Sequence, residues 1–264
     1  VNLLGDIGTI EWCRRTRGML GRGERARFIA AVALETARVS PRLLAARAGA
    51  RGSGPDPSLL TPPDTPFARE VVEACAEYHP AVLEHGYRSY LYARALKIAE
   101  DADCDDEALF AATMLHDHAF RGLDAVPDRC FAWEGAEEVG VILAQTSLDP
   151  SLQHDVLDAI CLHLNPTVPA AERGVLQHLT HAGILVDALG VRAWELDPDG
   201  VARVADRHPR DGFVTRSEPL MRGHARRAPH CRTAALFETG FSQALRLGPW
   251  YAQDRAASSG IPAG

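Results

Sequence analysis

The sequence predicts an all-α protein, a single multi-helix bundle preceded by a helical N-terminal extension. Three observations carry that expectation. Apolar residues recur at helical spacing through most of the chain, in segments bounded by capping residues, proline and glycine. Strand-type alternation is scarce. At 264 residues and 46% hydrophobic content, the chain is long enough for one substantial core, or one domain with an appendage.

Residues 24–39 read as the first helix, with Phe28, Ile29, Val32 and Leu34 on a broad apolar face. Ser40-Pro41 then opens a second, short helix running to Ala48, with Ser as N-cap and Pro at the first position. Gly49 is placed to end it. Residues 51–66 (RGSGPDPSLLTPPDTP) have the composition of a linker and mark the best domain boundary. Thr65-Pro66 starts the next helix, which continues over 67–78 and breaks near His79-Pro80. Residues 81–101 form a long amphipathic helix with Leu91, Ala95 and Ile98 on one side. Residues 105–118 (DDEALFAATMLHDH) carry acids in the first turn and an apolar body, the pattern of a buried helix. A turn-rich loop over 121–128 follows, then helices over 133–146, 150–163 and 174–189, the last closed by Gly190. Residues 191–213 are less regular, and 222–247 hold one more helix. The domain division is therefore a helical extension and linker over 1–64, a main domain over 65–250, and a flexible tail over 251–264.

Composition narrows the function classes. Charged residues make up 24% and the net charge is −7, which argues against bulk nucleic-acid binding, because phosphate neutralisation needs a basic face. No stretch approaches the roughly 18–20 continuous apolar residues of a membrane span. The six cysteines are scattered and none forms a CxxC pair, so a reduced, cytoplasmic setting is the expectation. A small-molecule substrate fits this balance, with no nucleic acid and no membrane as partners and a homo-oligomer left open.

Among eleven histidines, the pair His116-Asp117 stands out at the end of an apolar helix. An ionised Asp beside a His in an apolar setting is costly unless something compensates it. A divalent metal does so directly, since imidazole nitrogen and carboxylate oxygen are good ligands for Zn, Fe or Mn. The bland alternative is an Asp that ends the helix beside a core histidine.

The surrounding stretch ALFAATMLHDHAF resembles the central motif of the HD-domain metal-dependent phosphohydrolases. That family also places a His on an earlier helix and an Asp on a later one. His85 in HGYRSYLYARAL and Asp187 in HAGILVDALG match both in order and in apolar setting. The resemblance implies an HD-domain-like bundle holding one divalent transition metal on His85, His116, Asp117 and Asp187, with Zn first and Fe, Mn or Ni as alternatives. Segments over residues 60–213, among them CFAWEGAEEV, ICLHLN and RHPRDGF, are similar to the cyanamide hydratase-like branch of the family. Two positions depart from that branch: Gly86 replaces its usual Ser, and His118-Ala119 replaces Ile-Gly.

The resemblance makes Glu134, where the branch carries an acid, the candidate general acid/base, with Asp117 and His163 as further catalytic candidates. His163 can contact substrate or stabilise charge, or be a satisfied core histidine. Arg88 lies one turn after His85, so it can bind an anionic group or hold a ligand carboxylate from behind. His118 can enter the pocket or point away. Phe131 and Trp133 can line an apolar wall or simply fill the core. His178 and His181, one turn apart, read as polar-face residues.

The expected activity is metal-dependent hydrolysis or hydration of a small molecule, with a nitrile- or cyanamide-type substrate as one option. The rivals are an HD-type phosphohydrolase, which predicts a pocket lined by Arg or Lys, and a metal-retaining regulatory protein without catalysis. Loss of Glu134 from the pocket would favour the last.

Overall fold

The structure, a computed structural model, describes residues 3–47, 52–123 and 129–259. These fold into helices, with no strand among the described residues. The one β-type pairing recorded there is an isolated bridge between Met19 and Cys231. In chain order the helices are α1 (Ile10–Thr16), α2 (Arg22–Arg47), α3 (Pro66–Ala74), α4 (Pro80–Ala99), α5 (Asp106–Leu115), α6 (Phe131–Leu143) and α7 (Pro150–Leu162). They continue with α8 (Ala170–Arg173), α9 (Val175–Leu189), α10 (Pro198–Arg207), α11 (Phe213–Arg227), α12 (Arg232–Glu238), α13 (Phe241–Leu247) and α14 (Tyr251–Ser259). No helix among the described residues is long and apolar enough to cross a membrane.

One local device recurs. A capping side chain followed by proline starts α3, α4, α7 and α10. Thr65, His79, Asp149 and Asp197 each accept a bond from a backbone N–H of the first turn, and the proline occupies a position whose N–H would be an orphan anyway. Asp105 caps α5 in the same manner through Ala108 N. Gly190, at φ 71°, closes α9 in the left-handed conformation that glycine adopts freely.

The bundle centre is the packing of α4 on α9, the most extensive helix pair, with α5 and α7 beside it. Gly183 on α9 permits the close approach, because a Cβ there would run into the Ser89 carbonyl oxygen and Ala93 of α4. Tyr90, Leu91, Tyr92 and Leu96 of α4 and Leu109, Ala111, Ala112 and Leu115 of α5 are almost wholly buried in the resulting core.

Several expectations change. Residues 24–48 were expected as two helices broken at Ser40-Pro41, but α2 runs on through Pro41. Ser40 Oγ donates to the Thr36 carbonyl at 2.6 Å, a back-bond within the helix that bends rather than breaks it. Gly49 lies outside the described residues. Leu34 and Ile98, placed on apolar faces by the pattern, are exposed, because none of the described residues covers that side of either helix.

The N-terminal segment is part of the core rather than an appendage, and it contributes an unpredicted helix, α1. Ile7, Ile10, Trp12 and Phe28 join the central cluster. Ile10 N donates to Asp158 Oδ1 at 2.7 Å, and Asn165 donates to the Ile7 carbonyl at 2.8 Å. The fully buried Arg232 donates to the Cys161 carbonyl and to Asn165, and its guanidinium lies over the Trp12 ring. The linker is likewise pinned: Asp56 pairs with Arg203 of α10.

At the C-terminal end, the single helix expected over 222–247 is three, the last turns of α11, then α12 and α13. The breaks fall at Pro229 and at Gly240, whose φ is 96°. Residues 251–259 of the expected tail form α14, and its Asp254 is buried against Arg210.

Candidate metal centre

His85 sits in α4, His116 caps the C-terminal end of α5, and Asp117 follows it in the short turn beyond. One ligand atom from each falls in a group whose members lie within 4.8 Å of one another. His116 Nε2 is 3.3 Å and His85 Nε2 is 3.9 Å from Asp117 Oδ2. His163, at the end of α7, brings its Nε2 to 4.0 Å from the other oxygen, Asp117 Oδ1. Adjacent ligands converge here because α5 ends at Leu115, which turns Asp117 back beside His116 instead of 100° around a continuing helix.

His116 Nδ1 is 2.8 Å from the Thr113 carbonyl and His163 Nδ1 is 2.6 Å from the Ile160 carbonyl. A carbonyl only accepts, so both Nδ1 atoms carry hydrogen. His85 Nδ1 lies 2.5 Å from Asp187 Oδ2, and that carboxylate is held ionised, so this Nδ1 donates too. Each neutral ring therefore offers a lone pair at Nε2. The Nε2 atoms of His85 and His116 stand 3.2 Å apart, so either a proton on His116, whose charged form Asp117 favours, or a metal ion lies between them. Two imidazole nitrogens sharing a tetrahedral ion at ~2.05 Å stand about 3.3 Å apart. The donor set and its spacing fit a divalent transition metal, and the oxygen acceptor behind each ring is the usual outer partner of a metal-binding histidine.

The charge states differ among the three rings. Burial pushes His85 down to about 4, against the pull of Asp187, and pushes His163 down to about 3 with His116 adding to it, so both are neutral near pH 7. Burial also opposes charge on His116, but Asp117 outweighs it and raises the pKa. Asp117 is held below the ordinary carboxylate range by His116 and His85 despite its burial.

Asp187, expected as the fourth ligand, lies outside the group formed by His85, His116 and Asp117. It is fully buried behind His85, and its carboxylate accepts four bonds. Arg88 Nε (2.7 Å) and Arg210 Nη1 (2.6 Å) reach Oδ1, while His85 Nδ1 (2.5 Å) and Arg88 Nη2 (2.9 Å) reach Oδ2. Four is the full capacity of a carboxylate. In this arrangement Asp187 orients His85 from behind. The two guanidiniums also keep it ionised although burial favours the neutral form. Arg88 takes the second of its two readings, holding a carboxylate from behind, and completes its bonds with the carbonyls of His208 and Pro209.

Other predicted residues lie elsewhere. A cavity of about 480 Å³ opens onto His85, His116, Asp117 and His163, and Phe131 lines it. Glu134 and Trp133 do not. Trp133, two residues on from Phe131, is turned from it and packs into the core, while Glu134 pairs with Arg129. His118 points away, bonded through Nδ1 to the Tyr78 hydroxyl and through Nε2 to Glu138. His181 is buried rather than on a polar face, and its Nε2 donates to the Asn165 carbonyl at 2.8 Å.

Sequence reasoning missed the elements that complete the site. Phe213 stacks on the His85 ring at 3.9 Å, and Arg210 spans Asp187 and Asp254. Both lie in RHPRDGF, a segment whose similarity was visible without a role. Helices α2, α11 and α13 supply much of the cavity wall. Among the described lining residues there is no Lys or Arg. A second cavity of about 310 Å³ is lined by Arg38, Arg42 and Arg192, but His85, His116 and Asp117 do not line it. Gly86, beside His85, faces α5 at close range: a Cβ there would stand 3.0 Å from Met114 Sδ and 3.4 Å from the Thr113 carbonyl that orients His116.

No protein-family model matches the chain, and no curated protein matches it.

Proposed function

We propose that the chain is a metal-dependent hydrolase or hydratase of the HD-domain type, acting on a small molecule whose reacting centre is uncharged, such as a nitrile or an amide. One observation carries the reading: the Nε2 atoms of His85 and His116 and the Asp117 carboxylate converge on one point at the polar end of a cavity whose described lining has no cationic side chain. His85, His116 and Asp117 would hold a single divalent ion, with Zn favoured by the mixed nitrogen and oxygen donors and Fe, Mn or Ni as alternatives. Such an ion supplies Lewis acidity and lowers the pKa of water.

The chain's own residues do the rest. Asp187, gripped by Arg88 and Arg210, fixes the His85 tautomer and ring direction, and Phe213 holds the ring face. His163, kept neutral by burial, accepts a hydrogen bond at Nε2 and orients water beside Asp117. A pKa of about 3 makes it a poor proton store, so its work is orientation.

A phosphate ester would find no side-chain cation on the described wall, which counts against the phosphohydrolase reading. One observation favours a second reading, a metal-retaining binding protein without catalysis: Glu134, the expected proton carrier, pairs with Arg129 instead of lining the cavity. The test is metal analysis of the purified protein, followed by assay against cyanamide, alkyl nitriles, alkyl amides, and phosphomono- and phosphodiesters. Turnover of a nitrile or amide that disappears in His116→Ala and Asp117→Ala supports the proposal. Turnover confined to phosphate esters sinks it, and stoichiometric metal without turnover leaves the binding-protein reading in its place.

A further inference from the structure

The cavity is too large for a substrate that is all reacting group. At roughly 30 Å³ per non-hydrogen atom, the share of a water molecule in the liquid, its volume of about 480 Å³ holds on the order of fifteen such atoms. A three-atom molecule would leave about four fifths of it empty, and an empty apolar cavity forfeits the packing contacts of its whole lining.

The lining has a direction. Its ionisable groups nearest the candidate ion are His85, His116, Asp117 and His163, all on the bundle core helices or their ends. The apolar wall is added by elements outside that core: Val32 and Leu43 of α2, Met221 of α11 and Phe241 of α13, closing over Ile184 and Leu189 of α9. Two further lining residues, Leu44 and Leu247, are 63% and 56% exposed. They place apolar surface where the cavity meets solvent, as an entrance for an apolar molecule would. Glu35 also lines the wall, with its carboxylate already bound to Arg38. The remaining polar lining is hydroxyl and amide.

We infer that this cavity takes an uncharged, largely hydrocarbon or aromatic molecule of about 10–15 non-hydrogen atoms, its small polar group at His116 and Asp117 and its apolar body against α2, α9, α11 and α13. The position of the polar group rests on the proposed metal centre; the size and apolar character rest on the wall alone. An anionic group is disfavoured along the wall, whose described lining residues include no Lys or Arg to pair with it.

The test uses the full-length protein, loaded with the metal it purifies with, and the uncharged fluorophore 1-aminoanthracene as reporter. A series of linear primary amides from propanamide to octanamide displaces the dye. Affinity is expected to rise about fourfold per added methylene, the ordinary gain for burying one. His116→Ala keeps that slope and loses affinity equally at every length, so the slope reads the wall and the offset reads the polar end. Met221→Gln flattens the slope for the longer amides, with its thermal melt as the folding check. Affinities independent of chain length in wild type and in His116→Ala overturn the inference while leaving the metal centre standing. So does tighter binding of the matching carboxylates than of the amides at every length in the metal-free protein. A retained slope with no measurable metal overturns the proposed function and leaves the inference intact.

Discussion

Replacing Asp187 by Asn separates the two roles open to this residue. As an orienting group, Asp187 accepts four bonds from His85, Arg88 and Arg210. Asn supplies one carbonyl oxygen, and its NH₂ group faces donors. The variant leaves the Arg88 guanidinium, wholly buried, without a carboxylate, while Arg210 retains Asp254. Removing one partner of a buried ion pair costs about 3–5 kcal/mol. For a chain of this size that is a fall of roughly 6–20 °C in Tm. The metal is lost only in part, since losing the group behind a metal-binding histidine lowers affinity about 10- to 100-fold. The assay is competitive titration with a chromophoric chelator at low temperature, where the variant is folded, alongside thermal melts. The expected outcome is one weakened site per chain. If Asp187→Asn loses metal as completely as His116→Ala while its far-UV circular dichroism is unchanged, Asp187 is a ligand and the geometric argument fails.

Three further outcomes follow from the same geometry. Gly86→Ala forces a Cβ against Met114 and the Thr113 carbonyl, so it should cost about 1–3 kcal/mol by overpacking and weaken metal binding through His116. Unchanged urea midpoint and unchanged affinity would contradict this. His181 is buried and lowered to about 4, so the fold favours its neutral form. Its contribution is complete above the unfolded value near 6.5 and is lost as pH falls toward 4, a loss of roughly 3 kcal/mol. His181→Gln should therefore flatten the pH dependence of urea unfolding between pH 7 and 4.5, and an identical slope would refute the assignment. Glu134→Gln should retain metal content and keep kcat/KM within about twofold, because its carboxylate pairs with Arg129 and does not line the cavity. A hundredfold drop in kcat alone would restore it as the proton carrier.

The fold class was legible because its signals are local. A capping side chain, a proline and an apolar body suffice to start α3, α4 and α7, and all three were anticipated. The His116-Asp117 pair was legible because charged and ligating groups in an apolar stretch demand compensation, and His85 because it matches the family motif in order and setting. The role of Asp187 was not, because it depends on how many donors reach one carboxylate, and Arg210 arrives from a distant, irregular-looking segment. Glu134 failed for a local reason: Phe131, one turn before it, does line the cavity, but the Glu134 carboxylate pairs with Arg129. The unbroken α2 and the buried Asp254 of α14 show the same limit: tertiary contacts keep elements that composition alone reads as a break or a tail.

The central claim, that His85, His116 and Asp117 form one metal centre, is tested most directly by X-ray absorption at the edge of the metal found in the purified protein. The account predicts one ion per chain, with two or three imidazole scatterers and the remaining ligands oxygen at about 2.0–2.2 Å. In His116→Ala, the imidazole signal and the stoichiometry both fall. A sulfur shell near 2.3 Å, or full metal retention in His116→Ala and Asp117→Ala, would contradict it.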